Sequence, residues 1–65
     1  MVATQALTDA LRDKDPGVRI EAAKALRPHG AAALPAVPAL TRVLKDEHPD
    51  ARSAAAHTLK TIQAK

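Results

Sequence analysis

The sequence contains no cysteine and no phenylalanine, tyrosine or tryptophan. Without cysteine the chain can form neither a disulfide framework nor a thiolate metal site. Without phenylalanine, tyrosine and tryptophan it lacks the side chains that bury the most area and the ones on which nucleic-acid bases usually stack. We therefore expect a core of leucine, isoleucine, valine and abundant alanine, which favours closely packed helices.

The length of 65 residues limits the chain to one small domain, 1–65, of modest stability. Its formal net charge of +3 is smaller than a dedicated nucleic-acid binder usually carries. No apolar run approaches the roughly 20 residues that span a bilayer, and the first residues do not resemble a signal peptide. We expect no membrane association and, by default, a cytoplasmic location.

An internal duplication is the strongest signal in the sequence. An offset of 33 residues aligns the two halves without gaps and divides the chain into repeats 1–31 and 32–65. Such self-similarity is typical of helical repeat proteins. Within residues 7–26 the identical pairs are Leu7/Leu40, Thr8/Thr41, Leu11/Leu44, Asp13/Asp46, Pro16/Pro49, Arg19/Arg52, Ala22/Ala55, Ala23/Ala56 and Leu26/Leu59.

The apolar spacing predicts two helices in each repeat, joined by a tight turn. Asp15 is placed to cap the second helix and Pro16 suits its first turn, whereas Pro28 and Gly30 should end it. Pro38 indicates that the third helix either starts late or has bent first turns. The expected fold is an all-α superhelix (solenoid) of two helical hairpins, with helices near 3–13, 16–27, 33–46 and 49–63.

The segments LTDALRDKDPGVRIEAAKAL and LPAVPALTRVLKDEHPDARSAAAHTL resemble the short HEAT-like repeats, including those of phycobilin lyases. The resemblance implies a protein-interaction or self-assembly scaffold. Two departures from the usual pattern stand out. His48 replaces the common aspartate, which should weaken the cap of the last helix, and the run Arg27-Pro28-His29 should shorten the second helix.

The resemblance also implies a polar ladder between neighbouring repeats. A carboxylate at each turn would accept backbone N–H groups, and an arginine would bridge to the carboxylate of the adjacent repeat. In the alternative interpretation each aspartate merely ends a helix and each arginine is a solvated surface residue. The residues at the ladder positions are Asp13, Arg19, Asp46 and Arg52.

HEAT-like repeats bind partners with the outward positions of each second helix, and the resemblance carries this role over to matching positions here. These positions differ between the two repeats, whereas the core positions recur. Ile20 either forms an exposed apolar spot beside Ala54 or packs its helix against the neighbouring one. The implied partner-binding residues are Ile20, Glu21, Lys24, Ser53, Ala54, His57 and Thr61.

Catalytic chemistry has little support in the sequence. His29, His48 and His57 lack a spacing that would place two imidazoles on one helix face. The carboxylates near the turns are explained by helix capping. We expect no enzyme activity, no cofactor and no metal site.

Two other functions stay open. The chain could be a fragment or subunit of a bilin-lyase-like protein, which rests on the family analogy alone. It could also contact nucleic-acid phosphates, although we consider this unlikely because basic residues late in a helix also complement its dipole. The candidate phosphate contacts are Arg19, Lys24, Arg27, Arg52, Lys60 and Lys65.

The ends of the predicted solenoid are a further possible interaction surface. About three repeats are usually needed for stability, and neither repeat here has a polar cap. Leu34, Val37 and Ile62 at one end, or Ala3 and Leu7 at the other, should be partly open. We therefore expect a protein partner, a homo-oligomer, or a place in a longer array.

Overall fold

The computed structural model describes residues 3–64, and within this range its helices are joined by turns, with no β-strand. This confirms the expected all-α fold of two helical hairpins. A 3-10 segment, Arg27–Ala36, joins the two hairpins. The four α-helices are α1 (Ala3–Ala10), α2 (Pro16–Leu26), α3 (Val37–Val43) and α4 (Pro49–Ile62).

The start of α2 follows the predicted capping pattern. Asp15 has an extended backbone, and its carboxylate accepts the N–H of Gly17 at 2.8 Å. Pro16 occupies the first turn, where no N–H partner is needed. A Cβ atom on Gly17 would lie 3.2 Å from the Asp15 carboxylate, so glycine leaves the room for this cap.

The first helix of each hairpin ends earlier than predicted, at Ala10 instead of 13 and at Val43 instead of 46. In both places the helix gives way to turns in which a backbone N–H donates to the carbonyl three residues earlier. The N–H of Asp13 donates to the Ala10 carbonyl and that of Asp46 to the Val43 carbonyl. The tighter turns bring each aspartate to the start of the interhelical turn.

The predicted third helix, 33–46, is wrong at its start, because α3 begins only at Val37. Pro35 lies inside the preceding 3-10 segment, and Pro38 falls in the first turn of α3. Of the two possibilities for Pro38, the structure has the late start. Helix α2 ends at Leu26, one residue before the predicted end, and Gly30 breaks the 3-10 segment with φ 53° and ψ −129°.

Both hairpins contribute to a single core, in which α2 packs against α4. Leu26, Leu40 and Thr58 are its largest fully buried side chains. The remaining positions are filled mainly by alanine, as the composition predicts. The buried apolar residues are Leu11, Ala22, Ala23, Leu26, Ala33, Ala36, Leu40, Val43, Ala51, Ala54, Ala55, Leu59 and Ile62.

The solenoid ends are only partly as open as expected. Leu34 is exposed and Val37 is half-buried, but Ile62 belongs to the core. It is buried because α4 packs against the 3-10 segment as well as against α2 and α3. At the opposite end Ala3 is exposed and Leu7 is half-buried.

Candidate protein-interaction surface

The two interhelical turns have the same hydrogen-bonding scheme. The Asp13 carboxylate accepts the backbone N–H of Asp15, and the Asp46 carboxylate accepts that of His48, both at 2.9 Å. Arg19 Nη1 donates to the Asp13 carbonyl and Arg52 Nη1 to the Asp46 carbonyl, both at 2.7 Å. Each arginine therefore anchors α2 or α4 to the turn that precedes it.

Arg19 also crosses from the first repeat to the second. Its Nε donates to Asp46 Oδ2 at 2.7 Å and its Nη2 to Asp46 Oδ1 at 3.1 Å. The two side chains are 15% and 9% exposed, so this two-pronged ion pair is largely shielded from water. The His48 N–H, followed by the Arg19 side chain, lowers the pKa of Asp46 below its ordinary value.

The other two ladder residues are not brought together. Among residues 3–64, Arg52 has no carboxylate partner and the Asp13 carboxylate has no cationic partner. Both side chains are exposed. The ladder therefore has one closed rung between the repeats. Within residues 3–64, a carboxylate without a cationic partner lies on one side of it and an arginine without a carboxylate partner lies on the other.

Thr58 forms a second link between the repeats. Its hydroxyl donates to the Ala23 carbonyl at 2.7 Å and accepts from Arg27 Nε at 3.1 Å, although the residue is fully buried. The Ala23 carbonyl is available because the Arg27 N–H bonds to the Lys24 carbonyl instead. Pro28, which has no N–H, leaves that Lys24 carbonyl without its usual helical partner.

Thr58 is a contact between the repeats that our sequence-based expectations do not include. A signal was present, since threonine replaces Ala25 of the first repeat at an otherwise apolar position. A buried hydroxyl needs a partner. Pro28 makes a partner available indirectly, because the altered hydrogen bonding at the end of α2 leaves the Ala23 carbonyl free to accept from Thr58.

Five of the seven predicted partner-binding residues line a shallow groove between α2 and α4, which we call the α2–α4 groove. Lys24, Ser53 and His57 are exposed on it. Arg27 and Asp50 complete its charged rim. The full lining is Ile20, Lys24, Arg27, Asp50, Ser53, Ala54 and His57.

The expected apolar spot formed by Ile20 and Ala54 is absent. Ala54 is buried, and Ile20 is half-buried and packs against the core, so the packing alternative for Ile20 is the one observed. α2 and α4 approach closely enough to cover both side chains. Glu21 lies outside the groove, and Thr61, also exposed, donates its hydroxyl to the His57 carbonyl at 3.0 Å.

The Glu21 side of the molecule has its own groove, between α1 and α2. Leu7, Ala10, Val18 and Ala25 give it a largely apolar lining, with Glu21 and Asp15 at its edge. Val18 is among the exposed large apolar residues. This groove faces away from the second repeat.

Metal binding and phosphate contacts find few candidates in the structure. Within residues 3–64, no three histidine or carboxylate side chains are grouped to hold a metal ion. Of the basic residues named as phosphate contacts, Arg19 and Arg27 are engaged inside the protein, whereas Lys24, Arg52 and Lys60 are exposed. Lys65 lies outside the described residues.

No helix within residues 3–64 has both the length and the hydropathy required to cross a bilayer.

The paired hairpins, with a shared core and an ion pair between equivalent turns, define a helical repeat protein. Residues 4–65 match the family of HEAT repeats, and the chain belongs to that family. The match supports HEAT-like repeats in general and does not assign the phycobilin-lyase type. No curated protein and no solved structure shows significant similarity to the chain. HEAT repeats are generally protein-interaction scaffold modules.

Proposed function

We propose that this chain is a non-enzymatic protein-interaction module and that it binds its partner in the α2–α4 groove. The observation that carries the proposal is the groove itself. Its lining residues differ between the two repeats, whereas many residues of the underlying helices are the same in both. Lys24, Ser53 and His57 stay exposed there, while the helices beneath them are fixed by the common core.

The charge of the groove favours an acidic segment as its ligand. Lys24 and Arg27 lie on one side, and His57 adds a further nitrogen base opposite, whereas Asp50 is the one carboxylate that residues 3–64 contribute to the lining. Complementary charge steers association and fixes orientation more than it adds affinity. An extended acidic stretch of a partner protein would meet the exposed Lys24 on α2, while Arg27, which follows α2 and bonds to Thr58, adds positive charge at the rim.

Contacts within the protein also preorganise several side chains of the groove for binding. Arg27 Nε is fixed by the Thr58 hydroxyl, and Ile20 and Ala54 pack into its floor. A preorganised site loses less side-chain entropy on binding. The carboxylates of the turns, by contrast, are occupied with capping and with Arg19, which supports a binding role over acid–base catalysis.

A capped hexaglutamate peptide is a suitable probe in an amide NMR titration of the whole chain. We expect the amide signals of Lys24, Ser53 and His57 to shift, and Lys24→Glu to weaken binding about tenfold. Lys14→Glu is the matched control, because Lys14 is exposed in the first turn and lines no groove. A capped hexalysine peptide should leave the groove signals unchanged.

A contrary outcome would be shifts spread over the surface, or equal losses in Lys24→Glu and Lys14→Glu. A short DNA duplex, titrated in parallel, tests the phosphate-binding alternative. Stronger binding to the duplex with a steep loss of affinity at high salt would replace the protein-binding proposal.

A further inference from the structure

The second repeat exposes the side that the first repeat uses to contact it. Leu11 is 2% exposed, but its equivalent Leu44 is 37% exposed. Ala23 is fully buried under α4, whereas Ala56 is exposed. We call this surface the C-terminal end face; it consists of Leu44, Lys45, Arg52, Ser53, Ala56 and Lys60.

The first repeat exposes the complementary side. Leu40 is fully buried, but its equivalent Leu7 is only half-buried. Ala51 is fully buried, whereas Val18 is 37% exposed. We call this surface the N-terminal end face; it consists of Leu7, Asp9, Ala10, Asp13, Val18 and Glu21.

We propose that a second copy of this chain docks head to tail, with its N-terminal end face on the C-terminal end face of the first. The proposed interface copies the contact between the two repeats of one chain. The C-terminal end face contains the equivalents of first-repeat residues at that contact, and the N-terminal end face contains the equivalents of second-repeat residues. The proposal extends the protein-interaction function to a second pair of surfaces, which share only Ser53 with the α2–α4 groove.

The closed rung of the ladder predicts the central ion pair of this interface. Arg52 is the equivalent of Arg19, and Asp13 is the equivalent of Asp46. In the docked arrangement the corresponding ion pair therefore joins Arg52 of one copy to Asp13 of the next. Both are exposed and lack an oppositely charged partner among residues 3–64. Docking would give Arg52 the two-pronged contact that Arg19 already makes.

The surrounding charges suit a contact between copies better than they suit the contact within one chain. Arg12 and Arg42 line the same pocket at the internal contact, where they repel each other. Their equivalents in the docked arrangement are Lys45 and Asp9, which attract. A second opposite pair is Lys60 and Glu21, the equivalents of Arg27 and Ala54, which line one groove internally.

Side-chain size is also compensated. Internally, the large Ile20 lies beside the small Ala54 in the α2–α4 groove. In the docked arrangement the small Ser53 takes the place of Ile20, and the larger Glu21 takes the place of Ala54. The docked contact therefore again pairs one larger side chain with one small one, as the internal contact does.

Such a contact is heterologous, since it joins two different surfaces, and it leaves a free end on each side of every assembly. It therefore produces open chains of copies and not a closed two-fold dimer. Sedimentation equilibrium from about 10 µM to about 1 mM tests this. The average mass should rise steadily from the monomer value of 6.8 kDa with no plateau at twice that mass.

Two substitutions block opposite ends. Asp13→Arg places a cation against Arg52 of the next copy, and Ala56→Trp fills a position whose equivalent, Ala23, has no free space. Each variant alone should associate about tenfold more weakly or stay monomeric. Glu47→Arg is the control, because it makes the same charge change in an exposed side chain outside both end faces.

An equal mixture of Asp13→Arg and Ala56→Trp is the decisive sample. Each variant keeps the end that the other has lost, so the mixture should form a capped dimer of one copy of each. The introduced tryptophan gives the only absorbance near 280 nm, because the chain has no aromatic residue, and it should sediment at twice the monomer mass.

The proposal is overturned if the wild type stays monomeric throughout, or if Glu47→Arg disrupts association as strongly as Asp13→Arg. It is also overturned if the mixture of folded variants shows no dimer. Circular dichroism verifies folding, and Arg52→Glu provides a second charge variant at the opposite end. Neither Asp13 nor Ala56 lines the α2–α4 groove, so peptide binding there is tested independently.

Discussion

The two repeats carry the same residue at many equivalent positions, yet these positions have different surroundings. Leu11 and Leu44 are the same residue in the same motif, but the first is 2% exposed between the repeats and the second is 37% exposed. The same holds for Arg19 and Arg52, of which only the first meets a carboxylate among the described residues. The burial and the ion pairing of a repeated residue therefore depend on whether a neighbouring repeat packs against it.

The second helices differ in a way that matters for the contact between repeats. Helix α2 has 11 residues and α4 has 14, because Pro28 replaces Thr61 and His29 replaces Ile62. The shorter helix leaves the Ala23 carbonyl for Thr58, whereas the longer one buries Ile62. Shortening one repeat thus created a specific hydrogen bond with the other.

The comparison predicts its largest effect at the paired leucines Leu7 and Leu40. Leu40→Ala removes a fully buried side chain and should reduce the free energy of unfolding by about 3 kcal/mol. Leu7→Ala should cost about 1 kcal/mol, because Leu7 is half-exposed. Urea unfolding measures both. Equal losses would contradict the different surroundings of the two repeats.

A smaller loss is expected from Thr58→Val, which keeps the shape but removes the hydroxyl. The Ala23 carbonyl and Arg27 Nε would then lose a buried partner, which should cost about 1–3 kcal/mol. Thr41→Val is the matched control, since the Thr41 hydroxyl bonds only to its own helix at an exposed site. If the two variants unfold at the same urea concentration, Thr58 does not link the repeats.

Much of this architecture follows from the sequence, but the contacts between repeats follow only partly. The duplication and the Asp15–Pro16 signal predict the hairpins and the start of α2, because they act through local backbone chemistry. The late start of α3 and the role of Thr58 depend on how Pro28 and Pro35 reshape the segment between helices. The sequence left open whether Ile20 is exposed beside Ala54 or packed, because helical spacing alone does not show how closely α2 and α4 approach.

The ion pair between repeats should be sensitive to acid. The pKa of Asp46 is lowered in the folded state, first by the His48 N–H and then by Arg19, so the unfolded state binds protons more readily. The pair therefore stabilises the fold above the ordinary carboxyl pKa and is lost as pH falls through the lowered value. Unfolding measured between about pH 2 and pH 6 should show this loss.

Arg19→Gln sharpens this expectation. It should cost about 1–2 kcal/mol at neutral pH and flatten part of the acid dependence, while the His48 N–H retains the rest. Arg52→Gln should cost less than about 0.5 kcal/mol, because its side chain is exposed and pairs with no carboxylate among residues 3–64. An unchanged acid slope in Arg19→Gln would rule out its share in lowering the pKa.

The smallest effect concerns the caps of the two second helices. Asp15 accepts the Gly17 N–H, whereas His48 caps α4 with no side-chain hydrogen bond. His48→Asn supplies the missing acceptor without adding charge beside Glu47 and Asp50, and it should stabilise the chain by about 0.5–1 kcal/mol. Thermal unfolding followed by circular dichroism measures the gain. No gain in His48→Asn, together with a clear loss in Asp15→Ala, would mean that α4 is held by its core contacts and not by its first turn.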